Sequence, residues 1–128
     1  MEILNEKEIA KAYIGKPFIP EKLRKIAIGS GNTRAVVYSR RITRSQGALI
    51  GITDEIFNKW WDAGIYFAVY IDLIEPDNII ENCSMRVFKV DYQGDGSVDF
   101  IDITPTAQEF EIFENVMNFI TENKEVDK

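Results

Sequence analysis

The most chemically suggestive residues lie in an acidic run at positions 91–102, with the sequence DYQGDGSVDFID. This run follows the spacing of an EF-hand calcium loop, with Gly96 at the position of the sharp turn and Val98 at the apolar position. Calcium requires several hard oxygen ligands converging on one point, which this spacing can supply. The candidate metal ligands are Asp91, Gln93, Asp95, Asp99 and Asp102.

A metal-free interpretation of the same residues is favoured. Residues 85–90 and 98–103 alternate like strands, whereas an EF-hand loop lies between two helices, and Pro105 prevents a helix from starting inside the loop. Gln93 also replaces the usual Asp or Asn, and Asp102 is shorter than the usual bidentate Glu. A β-hairpin with a Gly-Asp-Gly turn therefore explains the pattern, and we expect no cofactor.

A second set of candidate residues is basic. Residues 1–44 hold ten Lys/Arg against four acids, a net charge of +6, whereas residues 45–128 hold five bases against seventeen acids, a net charge of −12. This asymmetry predicts an anion-binding surface on an otherwise acidic protein. Guanidinium groups fork onto phosphate or carboxylate, and glycine-turn amides can add donors. The candidates for anion or nucleic-acid binding are Asn32, Arg34, Arg40, Arg41 and Arg44.

The arginines have an equally weighted alternative role inside the molecule. Arg40 and Arg44 share one face of a predicted strand, so they can lie opposite carboxylates on neighbouring strands. Candidate partners are Asp72, Asp91 and Asp99. Pairing of this kind would leave no free cations for an external anion.

Residues 28–37, with the sequence IGSGNTRAVV, resemble the strand–turn–strand signature of AbrB/MazE-type DNA-binding antitoxins and transition-state regulators. The resemblance implies an interlocked dimer in which Asn32 and Arg34 lie near DNA. It covers ten residues only. The chain departs from the pattern at residues 38–40, where Tyr-Ser-Arg replaces the usual Ile-Pro step, so the resemblance does not assign the chain to that family.

Adjacent tryptophans at positions 60 and 61 are candidate partner-binding residues. They continue an apolar stripe formed with Ile56 and Phe57, which favours packing in the core. Because successive helical residues are about 100° apart, one of Trp60 and Trp61 can reach the surface while the other is buried.

The chain contains no histidine and a single cysteine, Cys83. Ser-His-Asp and Cys-His catalytic arrangements, His-ligated zinc and internal disulfides are therefore excluded. Carboxylate-only catalysis remains open, but no convergent pair is visible, so we expect a protein that is not an enzyme. The longest apolar run, Ile65–Ile71, is too short to span a bilayer, and we expect a cytoplasmic protein with no membrane segment.

The secondary-structure pattern predicts a single α+β domain over residues 1–128, with a mostly antiparallel sheet of about six strands. The predicted strands are 25–29, 34–43, 48–52, 65–74, 85–91 and 97–103, and the fourth is expected to be central and covered on both faces. Helices are predicted at the N-terminus from Asn5 to about Ile14, in the middle over 54–63, and at the C-terminus after Thr106. A short helical turn is also expected from Pro20 to Arg24.

Two functions from different classes are compatible with these patterns. The first is a non-enzymatic module that regulates or inhibits a protein partner, as bacterial immunity proteins and phage-encoded inhibitors do. The second is a nucleic-acid or nucleotide-phosphate binding protein with an arginine-rich β-hairpin. A homodimer is possible in either case.

Overall fold

One four-stranded antiparallel sheet organises residues 5–28 and 33–122, the part of the chain that the computed structural model describes. The strands run in the order β1-β2-β3-β4, and five helices accompany them within these residues. The helices are α1 (Glu6–Lys11), α2 (Pro20–Ile26), α3 (Arg44–Ala48), α4 (Asp54–Ala63) and α5 (Ala107–Thr121). The strands are β1 (Arg34–Tyr38), β2 (Ile65–Ile74), β3 (Ile79–Tyr92) and β4 (Val98–Asp102).

The central and C-terminal elements form where local signals predicted them. The Thr53 hydroxyl accepts a hydrogen bond from the backbone N–H of Ile56 at 3.2 Å and so begins α4. Gly64 ends that helix in the left-handed region, with φ of 71°. At the start of α5, where the capping-box spacing was predicted, the Glu109 carboxylate accepts hydrogen bonds from the backbone N–H and the hydroxyl of Thr106, at 2.7 and 2.6 Å.

The predicted hairpin over the acidic run is also present. β3 pairs with β4 in register from Phe88↔Asp102 to Tyr92↔Val98. The intervening turn is closed by a backbone bond from Gln93 N–H to the Ser97 carbonyl at 2.9 Å. β3 is longer than predicted, because it pairs along the whole of β2 before it reaches β4.

The sheet has four strands and not about six, because the segments predicted as strands at 25–29 and 48–52 do not form strands of it within the described residues. Lys25 and Ile26 end α2, where Leu23 and Ile26 are buried at helical spacing, and Gly29 lies outside the described residues. Only Ile28 pairs there, in an isolated bridge with Val36. The strand predicted at 48–52 begins inside α3, which a capping box between Thr43 and Gln46 starts.

The predicted ends of one strand and of one helix were also wrong. The strand predicted at 34–43 ends at Tyr38, because the chain turns there and Arg41 N–H bonds to the Tyr38 carbonyl at 2.9 Å. The first helix ends at Lys11, not near Ile14, and is followed by a turn. Residues 29–32, which include the candidate Asn32, lie outside the described residues.

The hydrophobic core lies against one face of the sheet. Side chains alternate along each strand, and the odd-numbered residues of β1 and β2, such as Val37 and Val69, join the core. Helix α5 contributes its fully buried stripe, and Trp60 of α4 stacks on Phe67 with ring centroids 5.3 Å apart. The described residues therefore form a single α+β domain. The core residues of α5 are Ile112, Phe113, Val116, Met117 and Ile120.

Candidate functional site

The opposite face of the sheet carries a different set of side chains, which we call the outer face. Strand pairing places on this face the even-numbered residues of β1 and β4, of β2 up to Asp72 and of β3 from Asn82 onward, and none of these belongs to the buried core cluster of the described residues. Most of them are half-buried or exposed. A register shift after Asp72 puts Ile80 on the core side. The outer face comprises Arg34, Val36, Tyr38, Tyr66, Ala68, Tyr70, Asp72, Asn82, Ser84, Arg86, Phe88, Val90, Tyr92, Val98, Phe100 and Asp102.

An aromatic row crosses the outer face with one ring from each strand. The Tyr38 and Tyr66 rings are stacked with centroids 6.1 Å apart, and Tyr66 stacks on Phe88 at 5.3 Å. Phe88 then meets Phe100 edge to face at 5.7 Å. These separations lie within the range of favourable aromatic pairs. Phe100 ends the row with 58% of its surface exposed.

Arg40 sits at one end of this row between two aromatic rings. Its guanidinium carbon lies 4.4 Å from the centroid of Trp61 and 4.1 Å from that of Tyr66. One guanidinium nitrogen donates to the Ile65 carbonyl at 3.0 Å. Within the described part of the chain, Arg40 has no carboxylate partner. Its charge is therefore held by ring faces and one carbonyl.

Two other arginines on the outer face are paired within the sheet. Arg34 lies 2.7 Å from Asp72 and Arg86 lies 2.7 Å from Asp102. The hydrogen bond and charge of Asp72 raise the pKa of Arg34, and the hydrogen bond with Asp102 is the main reason that the pKa of Arg86 is raised. Arg86 also lies over the Phe88 ring, with 4.8 Å from its guanidinium carbon to the centroid. These guanidinium groups are therefore neutralised locally.

The candidate arginines do not form a row on one strand. Arg44 begins α3 and donates to Asp54 and Asn58 of α4, at 3.2 and 2.9 Å. Arg40 and Arg44 both line a pocket of about 180 Å³, together with Trp61. Arg41 is exposed in the preceding turn. The structure thus brings together Arg40 and Arg44 and leaves Arg34 at the opposite end of β1.

The two tryptophans take opposite roles, as the 100° step between them allows. Trp60 is 2% exposed and its indole N–H donates to the buried Glu109 carboxylate at 3.4 Å. Trp61 is 67% exposed and covers Arg40. Of the two candidate partner-binding residues, only Trp61 is exposed enough to contact a partner.

The acidic run forms a hairpin turn in which polar side chains hydrogen-bond to one another. The Gln93 amide donates to Asp91 at 3.2 Å and to Asp99 at 3.0 Å. Hydrogen bonds from the Ser97 hydroxyl and backbone N–H hold the pKa of Asp95 below its usual value. Asp102 lies farther along β4, paired with Arg86. No cluster of three or more metal-ligating side chains occurs in residues 5–28 and 33–122, and the metal-free interpretation of this run stays a prediction.

The single thiol lies on the core side of the sheet. Cys83 is 3% exposed, and burial is the largest of the effects that raise its pKa to about 11. Since a thiol with that pKa is protonated at neutral pH, Cys83 lacks the thiolate character of a nucleophile.

Sequence reasoning missed the aromatic row. Tyr66 and Tyr70 were visible at even positions of a predicted strand, but that strand was expected to be covered on both faces. Phe88 and Phe100 joined them only through the register of two strand pairs. The alternation of Tyr66 and Tyr70 with core residues along β2 could be read from the sequence. The pairing of strands that are distant in sequence, which brings Phe88 and Phe100 beside them, could not.

Comparison with protein-family models, with curated proteins and with solved structures yields no match for this chain. Among the helices that the structure describes, none has the length and apolar character needed to cross a bilayer.

Proposed function

We propose that this protein is a non-enzymatic binding module that regulates or inhibits a protein partner, and that it holds this partner on its outer face. The observation that carries the proposal is the aromatic row across all four strands, continued by the stack of Tyr66, Arg40 and Trp61. Tyrosine, tryptophan and arginine are the residue types that dominate the binding energy of protein interfaces.

The rigidity of the outer face supports docking of a folded partner. Tyr66 is held between Tyr38 and Phe88 and is covered by Arg40, so its ring has little freedom left to lose on binding. Side chains that are ordered before association cost less entropy when a complex forms. The exposed rings at the two ends of the row, Trp61 and Phe100, offer apolar surface for contact, as do Tyr92 and Val98 on the same face.

Charge pairing indicates the chemistry of the partner surface. Arg34 and Arg86 already have carboxylate partners on the same face, so burying that face leaves no unpaired charge from these residues. A partner surface with few charges opposite these two pairs, and an acidic group opposite Arg40, fits such a face. A phosphate backbone fits it less well, because Asp72 and Asp102 would lie beside it.

The test is quantitative capture from a lysate of the native host with three immobilised proteins. They are the wild type, an outer-face variant with Trp61→Ala and Phe100→Ala, and a control variant with Ile14→Ala and Leu49→Ala. The control removes exposed apolar side chains that are not on the outer face, with exposures of 46% and 47% against 67% and 58% for Trp61 and Phe100. We expect one protein set to be captured by the wild type and the control, and lost from the outer-face variant.

A parallel arm with nuclease-treated lysate separates the two classes of partner. Capture that survives nuclease supports the protein-binding proposal. Loss of capture on nuclease treatment would contradict it and favour the nucleic-acid alternative. Equal capture by all three proteins would place binding away from the outer face.

A further inference from the structure

The free edge of the sheet at β4 is unusually exposed. All five residues from Val98 to Asp102 are exposed on both faces of the strand, including Phe100 at 58% and Ile101 at 47%. β4 pairs with β3 on one side, and within the described residues no strand lies on its other side. An exposed edge of this kind presents unpaired backbone groups to any strand that approaches it.

The hydrogen-bond register shows which backbone groups face outward. Gln93 N–H bonds to the Ser97 carbonyl at 2.9 Å, and Ile103 N–H bonds to the Val87 carbonyl at 2.8 Å. In an antiparallel ladder, residues with groups aimed at the partner alternate with residues whose groups point away. Odd-numbered residues of β4 therefore bond to β3. The N–H and C=O groups of Val98, Phe100 and Asp102 point to the free edge.

The opposite edge of the sheet is partly occupied. Val36 in β1 exchanges both backbone hydrogen bonds with Ile28, at 2.7 and 3.3 Å. That bridge blocks the centre of the β1 edge to an added strand. β4 is consequently the edge at which a fifth strand can join this sheet.

The side chains of β4 define what such a strand must carry. On the outer face, Val98 and Phe100 are apolar and extend the aromatic row to the edge. On the other face, Asp99 lies beside Asp91 of β3 and makes the end of β4 near the hairpin turn acidic. Farther along the strand, Ile101 lies beside Lys89. A matching strand places apolar side chains beside Val98 and Phe100, and basic side chains beside Asp99.

We propose that β4 accepts an extended segment of the partner protein as a fifth strand, and that this segment alternates apolar and basic residues. The inference rests on the proposed function and specifies how the partner of the outer face is held. Main-chain hydrogen bonds supply affinity in this mode of recognition, and alternate side chains supply specificity. A second copy of the chain fits less well, because two acidic hairpins would be brought side by side.

The probe is an acetylated and amidated heptapeptide of alternating Lys and Val, titrated into the full-length protein and followed by amide NMR. We expect exchange of the outward N–H groups of Val98, Phe100 and Asp102 to slow on binding, while that of Ile101 changes little. A Glu/Val peptide of the same length is the charge control and is expected not to bind. Equal binding of both peptides would overturn the charge argument.

A proline substitution isolates the edge hydrogen bond. Phe100→Pro removes an N–H that points away from β3, and Phe100→Ala removes the same ring but keeps the N–H. We expect the Lys/Val peptide to bind Phe100→Pro at least tenfold more weakly than Phe100→Ala. Val98→Pro against Val98→Ala repeats the comparison at the first residue of the strand, where proline is best tolerated. Equal affinity within both pairs would overturn strand addition.

Two further outcomes are distinguishable. If exchange of the outward N–H groups is already slow without peptide and sedimentation reports a dimer, a second copy occupies the edge and the proposal falls. If the peptide fails to bind while the host partner is still lost from the Trp61→Ala, Phe100→Ala variant, strand addition is wrong and the proposed function stands. If the peptide binds as expected but host capture does not depend on Trp61 and Phe100, the proposed function fails separately.

Discussion

The two faces of this sheet differ in how their side chains are satisfied. On the core face, Phe67 and Val69 are fully buried among helices and contact other apolar groups. On the outer face, Tyr66 and Tyr70 lie beside them in the same strand but contact rings and guanidinium groups. A one-residue step along β2 therefore separates side chains that stabilise the fold from side chains available for binding.

Four aromatic residues of the outer face therefore form a row of contacting rings and are not isolated from one another. Single exposed apolar residues are ordinary on protein surfaces. A stacked row joined to an arginine between two rings lies outside the core cluster of the described residues, although one of its inner rings, Phe88, is only 5% exposed. The predictions below test whether stability and binding separate between the two faces.

The largest expected effect contrasts the two tryptophans. Trp60→Ala removes a buried ring that stacks on Phe67, and we expect it to lower the free energy of unfolding by about 3–5 kcal/mol. Trp61→Ala removes an exposed ring over Arg40 and should change the free energy of unfolding by less than about 1 kcal/mol. Urea denaturation of both variants measures the contrast. Similar losses for both would remove the distinction between the faces.

A smaller effect is expected from alkaline pH, and it concerns the core face. Burial is the main cause that raises the pKa of Cys83 from 9.0 to about 11 and that of Tyr13 from 10.0 to about 12. Below pH 9.0 both groups are protonated in the folded and in the unfolded state, and their contribution to the free energy of unfolding is complete. Their contribution declines as pH rises toward the folded-state values, at about 1 kcal/mol per pH unit per group or less.

The urea midpoint should therefore begin to fall near pH 9.0. Cys83→Ala removes the first of the two groups, so the onset should move to near pH 10.0, where Tyr13 begins to contribute. A midpoint that stays constant to pH 11 in the wild type would show that neither group is held protonated by the fold.

A double-mutant cycle on Arg86 and Asp102 tests an ion pair of the outer face. The two groups are 2.7 Å apart but largely open to solvent, so we expect a coupling free energy between about 0 and 1 kcal/mol. The coupling should decrease as salt is added. The variants Arg86→Ala, Asp102→Ala and their double are compared by urea denaturation. A coupling well above 1 kcal/mol, insensitive to salt, would show that this pair stabilises the fold as a buried group does.

The smallest expected effect is that of calcium. Because the Gln93 amide already joins Asp91 and Asp99, we expect neither excess calcium nor a chelator to change the melting temperature measurably. Asp95→Asn serves as the matched control. A rise in melting temperature with calcium that is lost in the control would establish a metal site in the hairpin.

Elements with local signals were predictable from the sequence, and elements that depend on distant partners were not. β2 was predicted with its observed bounds, and the start of α5 followed from its capping-box spacing at Thr106. α3 was missed although Thr43 and Gln46 carry the same spacing. Gly47 lies inside that helix because a Cβ there would approach the Phe57 ring to 2.4 Å, a constraint that only the packed structure reveals.

The candidate site was predictable only in part, for a similar reason. Residue types indicated Arg40 and Trp61 separately, but their contact depends on how a turn after β1 meets α4. Pairing with Asp72, Asp91 or Asp99 was considered for Arg40 and Arg44, but Asp72 pairs with Arg34, and Arg44 pairs with Asp54 on a helix. The aromatic row required the register of three strand pairs, which no local pattern contains.

The most direct test of the central claim is the emission of Trp61 when the captured host protein binds. Trp60→Phe keeps a ring in the core and leaves Trp61 as the only tryptophan of the chain. On saturation with the captured protein, supplied as a tryptophan-free variant or with its own emission subtracted, we predict a blue shift and protection of Trp61 from acrylamide quenching. Saturable binding that leaves the emission and quenching of Trp61 unchanged would contradict docking on the outer face.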